Sequence, residues 1–414
     1  MTELQRATIV CIGTELTRGE INNTNASWIA ERLTSIGIDV VSIETIADDA
    51  DVIVSTLERL SHGAALVVTT GGLGPTTDDI TSASVARWLG VAQVRDPAVV
   101  AGLEARLARA GRTLTPSNAQ QADFPAGAAI LENPNGTAPG FSVVRGGCTL
   151  FFMPGVPREM KPMFERFVAP AASAMVFGAQ HQVRLHCFGV PESVLNDKLG
   201  GLEAAHGVTV GYRAHFPEVQ IKLLARADRA AAAEAKALGA ASEARARLGA
   251  AVYAEGERDM PLVVGDVLRQ RQLTLSLAES CTGGLVSSLL TQHPASDFLL
   301  GGVVSYANQV KIEQLGVKAA TLDQHGAVSP EVAREMAEGA RARFRTDLAL
   351  SLTGIAGPSG ATDTKPVGLV YYALASASGT RVESVNVNNR PREGVQLYAA
   401  WCGLDLIRQH VLAH

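Results

Sequence analysis

The chain has no excess of basic residues: 36 Lys and Arg stand against 41 Asp and Glu, a net charge of −5. A surface that tracks phosphates needs a positive field, so direct nucleic-acid binding is not expected. The five cysteines, Cys11, Cys148, Cys187, Cys281 and Cys402, are odd in number and scattered, with no C-x-x-C pair. That pattern argues against a disulfide framework and a zinc knuckle. His181, His186, His206 and His215 likewise lack metal-ligand spacing. No apolar run approaches the ~20 residues needed to cross a bilayer. The stretch at residues 1–6 has no signal-peptide core. A cytoplasmic protein without a membrane span is therefore the expectation. What is present is a globular balance, 47% hydrophobic and 19% charged over 414 residues, long enough for two or three domains.

In chain order, Ala7 to Ile12 reads as a buried strand ending in Gly13-Thr14-Glu15. A helix with Ile29, Leu33 and Ile36 follows and stops at Gly37. Val40 to Ile43 is a second strand, ending near Asp48-Asp49. Asp51 to Leu60 is a helix, and Leu66 to Thr70 a third strand that runs into Gly71-Gly72-Leu73-Gly74 and Asp78-Asp79. This alternation predicts an α/β, doubly wound parallel sheet, with ligands beyond the carboxyl ends of its strands. The glycines let backbone approach a phosphate, and the aspartates can hold a divalent cation. The other reading is a tight turn followed by a helix cap. Two Pro/Gly loops, at 132–140 and 152–160, flank a hairpin-like segment.

Residues 171–255 are different in character. They show short strands at Val183–Gly189 and Val219–Ala225 and an Ala-rich helix at Asp228–Leu248. From residue 256 strand/helix alternation returns. The strand-like Leu273–Leu277 leads into Glu279-Ser280-Cys281-Thr282-Gly283-Gly284, and a helix-like run leads out. A serine at such a turn is either a helix cap or a nucleophile whose oxyanion is held by free N–H groups. Further strands end at Tyr306 and at Thr353-Gly354-Ile355-Ala356-Gly357-Pro358. Lys311 falls on a predicted helix between them.

Together these motifs resemble the CinA family. The N-terminal set is Gly13-Thr14-Glu15, Asn23-Thr24-Asn25, Gly71–Asp79, Asn135-Gly136-Thr137-Ala138-Pro139-Gly140 and Met153-Pro154-Gly155-Val156-Pro157. The C-terminal set is E-S-C-T-G-G, S-Y-x-N-x-x-K and T-G-I-A-G-P. The resemblance implies a molybdopterin-binding-like domain at 1–170, a small α/β linker domain at 171–255 and an α/β deamidase domain at 256–414. It implies hydrolysis of ADP-ribose to AMP and ribose 5-phosphate by the first domain. Divalent metal (Mg2+, Co2+ or Mn2+) would sit at Asp48, Asp78 and Asp79, with help from K+. Thr14, Glu15, Asn25, Gly71, Gly72, Gly74, Gly136, Thr137, Pro154 and Gly155 would contact that substrate.

For the last domain the resemblance implies deamidation of nicotinamide mononucleotide (NMN) without a cofactor. No histidine is well placed there, so a Ser–Lys arrangement is expected. Ser280 is the nucleophile, Lys311 the base, and Tyr306 the hydroxyl that relays or orients the proton. N–H groups from Cys281, Thr282, Gly283 and Gly284 form the oxyanion site, and Thr353, Gly354 and Gly357 receive the ribose phosphate. Glu279 either orients Lys311 or the nicotinamide, or favours the helix N-terminus by its charge. Cys281 is a rival nucleophile in the same turn. One departure from the family stands out: Asn388-Asn389-Arg390 replaces its usual G-D-R, and Gln396 stands where a further arginine is expected. A homodimer is the expected assembly. The competing functions are a competence or DNA-damage regulator acting through a recombination partner, and a molybdopterin-binding protein.

Overall fold

The structure is a computed structural model that describes residues 5–413 apart from 110 and 177. Residues 1–4 of the N-terminal stretch lie outside the described residues. The chain divides into two compact units: Met1–Gln180 with Arg226–Ala233, and His181–Ala225 with Glu234–His414.

In the first unit β1 (Arg6–Ile12) is followed by α1 (Thr24–Ile36), β2 (Asp39–Ile46), α2 (Ala50–Ser61), β3 (Leu66–Thr70) and α3 (Thr81–Leu89). Then come β4 (Ala129–Leu131), β5 (Gly140–Arg145), β6 (Cys148–Met153) and the short helix α4 (Pro157–Met163). The strands form one sheet, ordered β2-β1-β3-β6-β5-β4. β2, β1, β3 and β6 run parallel, while β5 and β4 add an antiparallel edge. The hairpin-like segment between the two Pro/Gly loops is β5 and β6, which pair antiparallel. β1 has no polar alternation because both of its faces are covered. Ala7, Ile9 and Cys11 pack with Ile29 and Leu33 of α1; Val10 and Ile12 pack with Ile53 and Leu57 of α2. The period of two along a strand distributes one apolar run between two cores. At Leu66–Thr70 the strand ends in Gly71, whose φ is +113° and whose Cβ position lies 2.0 Å from the Ile12 carbonyl oxygen. Only glycine fits there, and the turn that opens the ligand side of the sheet depends on it.

The second unit opens with a small sheet of β7 (Ala179–Cys187), β8 (Val208–His215), β9 (Glu218–Ala227) and β10 (Val252–Glu255), ordered β8-β9-β7-β10. The helix α5 (Ala230–Leu248) packs Ala237, Ala240, Ala241 and Ala244 with the core of that sheet. Alanine at those positions keeps the helix close to the strands. β8 was not anticipated: its side chains are mostly half-exposed or exposed, so no apolar alternation announces it.

The rest contains α6 (Met260–Gln270), β11 (Leu275–Glu279), α7 (Leu285–Leu290), β12 (Leu299–Val304), α8 (Asn308–Leu315), α9 (Pro330–Phe344), β13 (Leu348–Gly354), β14 (Leu369–Ser376), β15 (Gly379–Asn386) and α10 (Arg392–Ala413). The sheet order is β12-β11-β13-β14-β15. β12, β11 and β13 are parallel, and β14 and β15 return antiparallel. Leu275 and Leu277 face a core shared with α6 and α10. Ala278 faces the layer of α9. Thus the interior strand β11 is buried on both sides, and its carboxyl end carries the Glu279–Gly284 turn.

Candidate active sites

Ser280 and Lys311 meet because of strand order. β11 and β12 pair in parallel with Glu279 opposite Val304, and the Ser305 N–H donates to the Glu279 carbonyl at 2.7 Å. Ser280 and Ser305 therefore leave the sheet side by side. α8 begins at Asn308, so Lys311 lies in its first turn. The outcome is a distance of 3.1 Å between Lys311 Nζ and Ser280 Oγ, across 31 residues of sequence. The lysine is 1% exposed and the serine 9%. Lys311 Nζ also donates to the carbonyls of Ser305 at 2.6 Å and Tyr306 at 3.4 Å. Burial pushes the lysine pKa down, because desolvation disfavours the ammonium form. A buried, pKa-lowered amine within hydrogen-bond reach of a hydroxyl is the geometry of a general base beside its nucleophile.

The turn resolves the open reading of Glu279. Its carboxylate accepts from the N–H groups of Gly284 (3.1 Å), Val286 (3.0 Å) and Ser287 (2.9 Å) and from Ser287 Oγ (2.8 Å). Four donors fill a carboxylate's acceptor positions, and the residue is 1% exposed. Glu279 caps α7, and its carboxylate oxygens are engaged there rather than at Lys311. This cap also reduces the number of free N–H groups at the turn. The Gly284 N–H is spent on Glu279, and the Gly283 N–H donates to the Ser280 carbonyl at 3.1 Å. Among the described residues, the N–H groups of Cys281 and Thr282 are left without a protein acceptor. The buried Thr282 Oγ1 has no partner either.

Cys281 is 5% exposed, and desolvation pushes its thiol up to about 12. Only the thiolate is a good nucleophile, so the serine is the better placed of the two neighbours. Tyr306 departs from its expected role. Its side chain is 62% exposed, and its hydroxyl accepts from Arg392 at 2.7 Å. It meets Lys311 through its carbonyl alone. Thr353 and Gly354 are also differently employed. The Thr353 hydroxyl donates to the Ala327 carbonyl at 2.7 Å, and a Cβ on Gly354 would stand 2.6 Å from Val370 Cγ2. Both serve packing at the end of β13. Gly357 offers its carbonyl to Arg392 at 2.6 Å.

Arg392 is a residue that motif reading passed over, and Gln396 was marked there only as a departure from the family pattern. Arg390 does not point to the turn: its guanidinium lies 4.2 Å from the Phe216 ring centroid. Arg392, at the start of α10, reaches both Gly357 and Tyr306. One turn later Gln396 donates to the Cys281 carbonyl at 2.8 Å. The i, i+4 spacing on one helix face was the available signal.

In the first unit the strand ends enclose a cavity of about 570 Å³. Glu15, Asn25, Asp48, Gly71, Gly72, Gly74, Asp78, Asp79, Thr137, Pro154 and Gly155 all line it. Thr14 and Gly136 do not. Thr14 donates its N–H (2.7 Å) and hydroxyl (3.0 Å) to Asp48 Oδ2. Gly136 makes room for Glu159, whose Oε2 would lie 1.8 Å from a Cβ there. Asn25 Nδ2 donates to the Gly155 carbonyl at 2.7 Å, while the buried Asn25 Oδ1 has no partner. Asp79 Oδ2 accepts from the Thr76 N–H (2.8 Å) and hydroxyl (2.5 Å). The Thr76 hydroxyl is also the main influence holding the Asp78 pKa below the ordinary carboxylate value.

Glu159 is a further lining residue that was not anticipated. It is 9% exposed, and its Oε2 accepts from Asn133 Nδ2 at 2.8 Å. The cavity therefore presents five carboxylates, from Glu15, Asp48, Asp78, Asp79 and Glu159, and no Lys, Arg or His among its described lining residues. No group of three or more His, Cys, Asp or Glu among the described residues forms a ready-made metal cage. The donor set is nonetheless hard oxygen throughout, which suits Mg2+-like ions shared with substrate phosphates and water.

Comparison with protein-family models matches the "Probable molybdopterin binding domain" at residues 8–174. The "Damage-inducible protein CinA KH domain" matches at 182–254, and the "CinA C-terminal domain" at 257–411. A CinA-like protein of Geobacter sulfurreducens is 41% identical over 405 residues, covering 97% of this chain and 98% of its own length. One from Citrifermentans bemidjiense is 41% identical over 410 residues, 98% of each chain. Among solved structures, the protein CinA of Thermoplasma acidophilum, titled as of unknown function, is 33% identical. It covers 40% of this chain and 98% of its own, with a TM-score of 0.38.

Proposed function

The chain belongs to the CinA family, and from that membership we propose that it is a bifunctional hydrolase of pyridine nucleotides and their fragments. The C-terminal site releases ammonia from NMN. The observation that carries this reading is the buried 3.1 Å approach of Lys311 Nζ to Ser280 Oγ.

A neutral lysine has two N–H bonds and one lone pair. The carbonyls of Ser305 and Tyr306 take the two N–H groups, which turns the lone pair toward the serine hydroxyl. Ser280 Oγ attacks the carboxamide carbon as its proton passes to Lys311 Nζ. The new oxyanion is stabilised by the free N–H groups of Cys281 and Thr282. As the intermediate collapses, the Lys311 ammonium returns the proton to the departing nitrogen, and ammonia leaves an acyl-serine. Water then attacks that ester with Lys311 again as base, and nicotinate mononucleotide is released. Arg392, which donates to the Gly357 carbonyl and the Tyr306 hydroxyl beside the Ser280 turn, supplies the cation for the substrate phosphate.

The N-terminal site hydrolyses the pyrophosphate of ADP-ribose. A diphosphate cannot enter five carboxylates unaided, so this site requires bound cations. Asp48, Asp78 and Asp79 would hold a divalent cation, with K+ as a second neutralising ion, and the metal supplies charge compensation at the phosphates. The chain's own contribution is the glycine turn at 71–74, whose backbone borders the cavity, and the Asn25 side-chain Oδ1, which lacks a protein donor among the described residues.

Both activities are tested with purified full-length protein. Ammonia release from NMN without added metal, abolished in Ser280→Ala, supports the first. AMP release from ADP-ribose with Mg2+, Mn2+ or Co2+ supports the second. Retention of a pterin by the protein with no turnover of either nucleotide would favour the molybdopterin-binding reading instead.

A further inference from the structure

A second network, outside the catalytic pair, reaches the nucleophile turn from the small sheet of the same unit. The β8–β9 hairpin ends in Phe216-Pro217. Phe216 stacks on Tyr398 of α10, with ring centroids 5.8 Å apart and planes 23° from parallel. Arg390, in the loop entering α10, covers the same Phe216 ring at 4.2 Å. Phe188, at the end of β7, packs on Tyr398 at 5.3 Å and on Trp401 at 5.6 Å. The hairpin tip is itself anchored. Glu218 is 7% exposed and accepts from the Tyr253 hydroxyl, from His186 Nδ1 at 2.9 Å and from Gln220 Nε2 at 2.7 Å.

Tyr398 lies two residues beyond Gln396, about 200° around the helix. The first turns of α10 are thus wedged between the hairpin on one side and the nucleophile turn on the other. On the hairpin side are Tyr398 and Arg390. On the catalytic side are Gln396, bonded to the Cys281 carbonyl, and Arg392, bonded to Gly357 and Tyr306.

We infer that Phe216, at the tip of the small-domain hairpin, is a positioning residue for the Ser280 turn, acting through Tyr398, Arg390 and the first turns of α10. The kinetic part of this inference rests on the deamidase reading; the structural part does not. Phe216 touches no reacting atom. It sets where Gln396 holds the peptide whose N–H groups face the oxyanion, so its loss lowers kcat rather than raising KM.

The test uses full-length Phe216→Ala, Phe216→Tyr and Arg390→Ala proteins with two readouts. The first is kcat and KM for ammonia release from NMN. The second is the rate of N-ethylmaleimide labelling of each cysteine, resolved by peptide mass. In Phe216→Ala, kcat falls about tenfold with KM within about twofold, and labelling of the buried Cys281 accelerates about tenfold. Cys11 and Cys148, in the other unit, keep their wild-type rates. Phe216→Tyr restores both readouts, and Arg390→Ala gives an intermediate effect while removing only the cation over the ring. Unchanged Cys281 labelling in Phe216→Ala overturns the inference, as does a common acceleration of all five cysteines. If the wild type releases no ammonia, the deamidase reading falls, and the Cys281 labelling still decides whether the hairpin holds the turn.

Discussion

Replacing Lys311 by methionine keeps an unbranched stem out to Cε and removes the amine. Among the described residues Nζ is the group within hydrogen-bond reach of Ser280 Oγ, so on the proposed mechanism the variant loses general-base assistance in both acylation and deacylation. A positioned base is worth about 10²- to 10⁴-fold, or about 2.7–5.5 kcal/mol of transition-state stabilisation. The wild-type pH profile follows from the same burial. In the proposed mechanism the neutral amine is the active form, and desolvation lowers the lysine pKa. kcat/KM should therefore rise with pH and level off below ~10.4, the value of an ordinary lysine. The Lys311→Met profile should be flat. Stability adds an independent sign. Between the lowered folded-state pKa and the unfolded one, the unfolded chain binds more protons. Wild type therefore gains stability relative to Lys311→Met as pH rises through that window, by about 1.4 kcal/mol per pH unit. The gain ends at the unfolded value. The assay is ammonia release from NMN at pH 6–10, alongside urea unfolding of both proteins. A methionine variant with more than about a tenth of wild-type kcat would refute the base assignment, as would a wild-type rate that is flat across that range.

Tyr306→Phe removes a hydroxyl that meets Arg392 and not Lys311. Its kcat should fall less than about tenfold, with the larger change in KM through Arg392; a loss matching that of Lys311→Met would restore the tyrosine as proton relay. Glu279→Gln leaves one acceptor oxygen where four donors converge, at a cost of about 2 kcal/mol. For a unit of this size the melting temperature should fall by roughly 4–8 °C, and an unchanged melt would mean the cap is dispensable. In the first unit, EDTA and Asp48→Asn should each remove AMP release from ADP-ribose while leaving ammonia release from NMN within about twofold, since in the proposed function the five-carboxylate cavity takes a cation and the Ser280 site does not. ADP-ribose hydrolysis that survives EDTA would remove the metal from the account.

Much of the architecture was legible because it rests on local patterns. Apolar runs such as Ala7–Ile12 and Leu66–Thr70, each followed by glycine and an acid, announce strands that end in ligand-facing turns. Gly37 closes α1 in the left-handed conformation, as a glycine after a periodic apolar stretch should. The Ser280 turn declared itself by its small residues between a strand and a helix. The pairing of Ser280 with Lys311 came with the family pattern; spacing along the chain does not carry it, because 31 residues can separate two groups by any distance.

Strand order made that pairing. Only when β11 and β12 lie adjacent, with Glu279 opposite Val304, do residue 280 and the start of α8 share one edge. The same holds for Arg392, which the motifs left out, and for Gln396, which they marked only as a departure. Arg392 and Gln396 gain their meaning from where α10 packs, and Tyr306 loses its relay role because the Arg392 guanidinium holds its hydroxyl. Local sequence thus determined which segments become strands, turns and caps, since propensity, glycine geometry and apolar period act over a few residues. The tertiary structure decided which of those ends face one another, because hydrogen-bond partners and burial, including the desolvation that lowers the Lys311 pKa, exist only once distant segments have packed.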